Sequence, residues 1–370
     1  MTVPSNQPIR FRCGQCDKAV RAARRLAGRR VICPKCGGRQ QVPRPAGGSS
    51  AELIPPPAAV GLPGTARLAP AVTETLNLPC AGGSDDGEGL INRVLGADYR
   101  LDALLGTGAT AQVFVATQMS LRRRVAVKVL PPHNANPRRL ERFRREAQTL
   151  ARLAHPNILR VYAYGCDDGL HWMAVELAAR GDLYSARPAD RAVRWSDAVG
   201  WLRQSLCGLA AVHESGLVHR DVKPHNLMLA ADGSVRLADF GLVRLPGDPP
   251  GKGKLVGTPA YVSPEQALGK DIDGRADLYS LGATFWHLLA GRMPHSGASV
   301  REVVLGHLSR PTPSLRAANP EVPRPLSRII SRLMEKSPSL RYQTAGAALA
   351  DLDSYGDFGG AEPAALRRGA

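Results

Sequence analysis

The stretch His219-Arg220-Asp221-Val222-Lys223-Pro224-His225-Asn226 decides the reading of this chain. It crowds an acid, a lysine and an amide into a few residues. A strand pair follows at 227–229 and 235–238, with the turn Asp232-Gly233 between, and Asp239-Phe240-Gly241 closes the run. Upstream, Val125-Ala126-Val127-Lys128-Val129-Leu130 puts a lysine inside an apolar strand, where its ammonium is costly to bury unless paired. Glu146 offers the pair. The periodicity predicts a helix over 138–154 with Leu140, Phe143, Ala147, Leu150 and Ala154 on one face, and Glu146 joins that face. Further upstream, Leu105-Gly106-Thr107-Gly108-Ala109-Thr110-Ala111-Gln112-Val113 is a glycine-rich turn between two strands. Its small residues let backbone N–H groups approach a polyphosphate. Ala111 stands where Gly-x-Gly-x-x-Gly would have its third glycine, and the strand that follows argues against a dinucleotide fold, which needs a helix there.

Around these motifs, strand-like runs fall at 99–106, 112–118, 124–130, 159–165 and 171–177, interrupted by the 138–154 helix. After residue 195 helical patterns dominate, as at 196–215 and 277–290. A small β-rich half followed by a larger helical half predicts an α+β fold of two lobes with a cleft between them.

In content and order these motifs resemble those of eukaryotic-type protein kinases, of the sort also found in bacteria, over residues 99–352. The resemblance implies a serine/threonine protein kinase that uses ATP with Mg2+ or Mn2+ and acts on Ser/Thr hydroxyls of proteins, itself included. It implies that the turn from Gly106 to Val113 covers the ATP phosphates. Leu105, Gly106, Thr107, Gly108, Ala109, Val113, Ala126 and Met228 then belong to the nucleotide site. Lys128, oriented by Glu146, holds the α- and β-phosphates; Val175 is the gatekeeper and Glu176 begins the hinge. Asp221 takes or orients the substrate hydroxyl proton, Lys223 neutralises the γ-phosphate, and Asn226 and Asp239 hold the metal. Ser263-Pro264-Glu265 stands where the family has Ala-Pro-Glu. Asp277 supports the catalytic loop, and Arg341 pairs with Glu265. Lys223 and Gly257-Thr258 match the serine/threonine rather than the tyrosine pattern, and the segment from Gly257 to Glu265 argues against a small-molecule kinase. In many relatives a phosphorylated residue answers the arginine before the catalytic aspartate, here Arg220. The 242–257 stretch holds no Ser, Thr or Tyr, so no phosphate there is expected to switch the protein on; Asp248 is the candidate standing charge for Arg220.

The remainder of the 370 residues has a different character. Cys13-x-x-Cys16 and Cys33-x-x-Cys36 lie sixteen residues apart, a spacing that suits a four-thiolate structural zinc site and resembles a zinc ribbon over 10–43. A stretch this short cannot hold a core, so the metal would supply its folding energy. Residues 44–93, rich in Pro, Ala and Gly, read as a disordered linker, 94–355 as the kinase domain and 356–370 as a flexible tail. The net charge is +17, and residues 1–50 carry eleven Lys and Arg against one acid. That patch would attract acidic proteins or nucleic acid, and a zinc protein using the kinase fold as a scaffold is the competing reading. No stretch approaches the ~20 apolar residues of a membrane span and the N-terminus has no apolar signal core, so a cytoplasmic protein is expected.

Overall fold

The computed structural model describes residues 9–12, 19–22, 30–32, 39–41, 88–108, 111–132, 135–187, 192–245, 248 and 256–356. The chain divides into two units, Met1–Ala66 and Arg67–Ala370. In the first, β1 (Ile9–Arg12) pairs antiparallel with β2 (Ala19–Ala22), and β3 (Arg30–Ile32) with β4 (Arg39–Gln41). Cys13 and Cys16 fall between β1 and β2 in chain order and Cys33 and Cys36 between β3 and β4; all four lie outside the described residues. So do most of the expected linker and nearly all of the expected tail.

The second unit opens on a six-stranded antiparallel sheet of order β5-β6-β7-β8-β10-β9. Its strands are β5 (Val94–Leu95), β6 (Tyr99–Thr107), β7 (Gln112–Gln118), β8 (Arg123–Leu130), β9 (Val161–Asp167) and β10 (Leu170–Val175). The expected linker over 44–93 runs too far: Leu90 and Ile91 pack against the core of this sheet and Arg93 pairs with Asp168 at 2.8 Å. Two apolar residues among glycines were enough to anchor the segment. Across the sheet, Phe114, Val125, Val127 and Val129 are buried on one face, while Ala126, Leu130 and Met173 join the core on the other. This alternation is the period of two that a strand imposes.

Helix α1 (Pro137–Arg152) follows β8. Asn136 caps it, its side chain accepting from the Arg139 N–H at 3.0 Å, and Pro137 sits in the first turn, where its missing N–H costs nothing. Phe143, Glu146, Ala147 and Leu150 are buried, as the periodicity predicts, but the helix ends at Arg152 and Ala154 is exposed, with Leu153 buried in its place. The next strands are likewise displaced from their expected bounds: β9 starts at Val161, and β10 ends at Val175, leaving Glu176 and Leu177 beyond the sheet.

The helical part contains α2 (Trp195–Glu214), a hairpin of β11 (Leu227–Leu229) and β12 (Val235–Leu237), then α3 (Pro264–Ala267), α4 (Gly274–Ala290), α5 (Val300–Ser309), α6 (Leu315–Ala318), α7 (Arg324–Leu333) and α8 (Ala345–Ser354). Every residue of α4 from Ala276 to Leu289 is buried. A helix buried all round is a core helix, and α4 is the post about which the lobe is built. Asp273 caps its start and Gly291, at φ 71°, ends it in the left-handed region. One apolar cluster runs from Ala126 and Val175 in the sheet, through Phe143 of α1, to Leu278 and Phe285 of α4. No helix among the described residues is long and apolar enough to cross a membrane.

Candidate active site

The floor of the nucleotide side is built by pairing. Register places Val113 opposite Lys128 and Ala126 opposite Val175. Val113 and Met228 are partly buried against the cluster that contains Ala126 and Val175, so these four converge from β7, β11, β8 and β10. At the end of β6, Gly106 is buried and Thr107 exposed, and the Gly108 N–H reaches the Ala111 carbonyl at 2.8 Å to close a tight turn. Leu105 is partly buried in the same strand, and Ala109 lies outside the described residues.

The lysine expected to be paired is paired. Lys128 Nζ donates to both carboxylate oxygens of Glu146, at 2.7 and 2.9 Å, and stands 3.8 Å from Asp239 Oδ1. Burial alone would lower the Lys128 pKa, but Glu146 and Asp239 outweigh it and raise it, so the ammonium stays charged. Asp239 is held below the usual carboxylate range: desolvation opposes its charge, while Lys128 and Lys223 favour it more strongly. Its backbone, at φ 62°, is in the left-handed region, an unusual conformation that aims the carboxylate back toward Lys128. Phe240 is buried edge-on to the His219 ring, with centroids 4.9 Å apart, which anchors the turn that carries Asp239.

The second cluster surrounds Asp221. Lys223 Nζ lies 2.8 Å from Asp221 Oδ2 and donates to Thr258 Oγ1 at 3.0 Å. Asp221 Oδ1 accepts from the Thr258 N–H at 2.9 Å and from its hydroxyl at 2.7 Å. Asn226 spends its amide nitrogen on the Asp221 backbone carbonyl, at 2.8 Å, and on Oδ2, at 3.2 Å. That orientation leaves the Asn226 side-chain oxygen without a partner among the described residues. Beside it the Asp239 carboxylate is about half exposed. An amide oxygen and a carboxylate are the hard donors that Mg2+ or Mn2+ prefers, so these two residues fit such an ion. Among the described residues no group of three or more His, Cys, Asp and Glu is arranged to hold a metal.

Residues 99–351 match the family described as Protein kinase domain. The chain belongs to the protein kinase family. The kinase is 33% identical over 271 residues to Serine/threonine-protein kinase PrkC of Bacillus subtilis, which covers 72% of this chain and 42% of that protein. It is 35% identical over 260 residues to Serine/threonine-protein kinase PknA of Mycobacterium tuberculosis, covering 68% and 60%. With Serine/threonine-protein kinase PknL of the same organism it shares 35% over 271 residues, covering 72% and 68%. The chain thus spans about half the length of the first two relatives, and its catalytic domain is of the serine/threonine protein kinase kind.

The kinase domain holds its catalytic loop from below. Asp277 of α4, fully buried, accepts the backbone N–H groups of His219 and Arg220, each at 2.8 Å, and His213 of α2 reaches it at 2.9 Å. Burial opposes the Asp277 charge, yet His213, His219 and these amides lower its pKa below the usual range. Arg341 makes a two-pronged pair with Glu265, at 2.6 and 2.8 Å, and caps the carbonyls of Arg275, Glu335 and Lys336 as well. Gly257 sits at φ 103°, and a Cβ there would come within 2.7 Å of the Arg220 carbonyl; only glycine lets Thr258 meet Asp221.

Asp248 acts on Arg220 as the expected standing charge, favouring its cation, although its direct ion pair lies elsewhere. It pairs with Arg145 of α1 at 2.5 Å, next in sequence to Glu146, while Arg220 Nε donates to the Leu242 carbonyl at 2.5 Å. Arg220 is turned by its own φ of 68° toward the backbone of the following segment, and Asp248 reaches the nearer helix. The sequence motifs also missed His213, Arg145 and Gln266, whose amide nitrogen bonds the Arg220 and Val256 carbonyls. None carries a spacing signal, because each acts through a contact far away in the chain.

Proposed function

We propose that this protein is a serine/threonine protein kinase that transfers the γ-phosphoryl group of ATP to Ser and Thr hydroxyls of proteins, itself included. The observation that carries this is the joint assembly of both clusters: Lys128 paired to Glu146 beside Asp239, and Asp221 bracketed by Lys223, Thr258 and Asn226. Phosphoryl transfer needs alignment and charge stabilisation more than covalent help. Lys128 would hold the nucleotide phosphates, with Leu105, Gly106, Thr107, Gly108, Ala109 and Val113 above them, Ala126 and Met228 against the base and Glu176 starting the hinge. Asn226 and Asp239 would hold Mg2+ or Mn2+, which supplies charge neutralisation on the triphosphate. A threonine hydroxyl already donates to Asp221 Oδ1 at 2.7 Å, which supports this oxygen as the atom that orients an incoming hydroxyl and takes its proton. Lys223, between the two groups, steadies the negative charge that builds there. The test is incubation of purified protein with labelled ATP and Mg2+ alongside the Asp221→Asn and Lys128→Met variants. Transfer to protein by the wild type and its collapse in both variants is expected; no transfer by the wild type would end this reading.

The N-terminal unit is proposed to be a structural zinc ribbon, ligated by Cys13, Cys16, Cys33 and Cys36, that recruits a partner or substrate of the kinase. The support is that each Cys-x-x-Cys pair lies, in chain order, between two strands paired antiparallel, and that the two pairs together carry the four sulfurs one ion needs. Elemental analysis should return one zinc per chain, lost in Cys33→Ser; a metal-free wild type would refute it.

A further inference from the structure

Below the catalytic loop, on the helical lobe, lies a group of donors that the transfer reaction does not use. Tyr184 stacks on His225 of the catalytic loop, with centroids 4.3 Å apart, and the Arg187 guanidinium lies over the other ring, 4.9 Å from the Tyr184 centroid. Arg187 Nη1 donates to the Gly291 carbonyl at 3.0 Å and meets His287 Nε2 at 3.3 Å. On its other side His287 Nδ1 meets the Tyr261 hydroxyl at 2.8 Å, and Tyr261 stands three residues after Thr258.

A guanidinium can only donate, so its contact with His287 requires Nε2 to be the acceptor. The His287 proton then sits on Nδ1 and is given to the Tyr261 oxygen. The hydrogen of the Tyr261 hydroxyl is therefore free to donate elsewhere. Burial, with Arg187 and His225 beside it, lowers the His287 pKa to about 4, in keeping with a neutral ring. Arg187 Nε is buried with no acceptor. No carboxylate among the described residues pairs with Arg187. The Nε–Nη2 edge is the one that grips carboxylates and phosphates with two parallel bonds. An orphaned buried donor of this kind calls for an absent acceptor.

We infer that Arg187 and Tyr261 form a specificity subsite that reads an anionic side chain, carboxylate or phosphate, on the protein substrate within a few residues of the hydroxyl that meets Asp221. The inference rests on the kinase reading and names its substrate class. Through His225 and Tyr261 the subsite touches both the loop that carries Asp221 and the segment that carries Thr258, so a chain lying across these two would pass it. Neutral or basic side chains at that place leave the Arg187 edge unsatisfied.

The experiment uses the full-length protein and peptides with a central threonine, in which each flanking position is in turn Ala, Lys, Asp, Glu or phosphoserine. Binding is measured by fluorescence anisotropy on the Asp221→Asn variant with a non-hydrolysable ATP analogue, and kcat and KM on the wild type. An anion at one register should tighten binding by about tenfold or more and lower KM with little change in kcat. The asparticand glutamic arms against the phosphoserine arm identify the anion. Arg187→Gln in the same background should erase the preference, Tyr261→Phe should reduce it, and Arg187→Glu should transfer it to lysine peptides. Equal affinity for all peptides, or a preference that survives Arg187→Gln, overturns the subsite. Absence of turnover with a retained, Arg187-dependent binding difference would instead overturn the kinase reading alone.

Discussion

Asp221 uses both carboxylate oxygens before a substrate is present: Oδ1 on Thr258 and Oδ2 on Lys223 and Asn226. Such a group positions rather than wanders, so its loss should act on rate. Asp221→Asn is expected to lower kcat by about 10²- to 10⁴-fold with little change in the KM for ATP, as read by steady-state phosphate transfer. Lys128 is different, because its removal strands a buried partner. Lys128→Met leaves the Glu146 carboxylate, only 6% exposed, without its cation and should cost about 3 kcal/mol of stability as well as activity. The double variant Lys128→Met/Glu146→Leu should regain most of the thermal stability and none of the activity. If the single variant unfolds at the wild-type temperature, the pair is not the buried contact described.

At the scale of elements, the link that matters is Arg145 to Asp248. It ties the segment after Asp239-Phe240-Gly241 to α1, one residue from Glu146, by a half-buried ion pair. The 242–257 stretch holds no Ser, Thr or Tyr, so no hydroxyl in it can carry a phosphate. Phosphatase treatment is therefore expected to leave activity intact. Asp248→Ala should lower kcat about two- to fivefold, the scale of a partly exposed pair, and the charge exchange Arg145→Asp/Asp248→Arg should restore it. The sequence made α1, its inward face and the Lys128–Glu146 pair legible because periodicity and the cost of burying charge are local rules. It pointed Asp248 at Arg220, whose cation Asp248 does favour, and missed Arg145, because composition says that a charge is present but not which of two cations, 75 residues apart in the chain, it will touch.

For the whole molecule, the catalytic loop hangs from the core through Asp277, and Glu265–Arg341 ties the segment after Thr258 to the far end of the lobe. Asp277→Asn should cost about 3–5 kcal/mol at neutral pH, since the amides and His213 lose a fully buried charge. The pH dependence has a definite sign. The Asp277 pKa is depressed on folding, so its stabilisation is present above its ordinary value near 3.8 and is lost as pH falls through the folded value. Acid unfolding of the wild type below about pH 4 should therefore be shallower in Asp277→Asn, as followed by circular dichroism. The two-lobed plan and the residues of both clusters were readable from motif order. The bounds of the linker, the reach of α1 and the Arg187 donors were not, since each is decided by which surfaces happen to meet after folding.

Asp277 grips main-chain N–H groups at 219 and 220 and makes no demand on what those residues carry beyond Cα. A suspension of that kind separates place from chemistry: the loop is held at its height above the core through its main chain, and its side chains are left for other work. Substitutions at Arg220 should then be felt where its guanidinium ends, at the Leu242 carbonyl, and those at His219 at the two groups its ring meets, the Ala238 carbonyl and the Asp221 N–H.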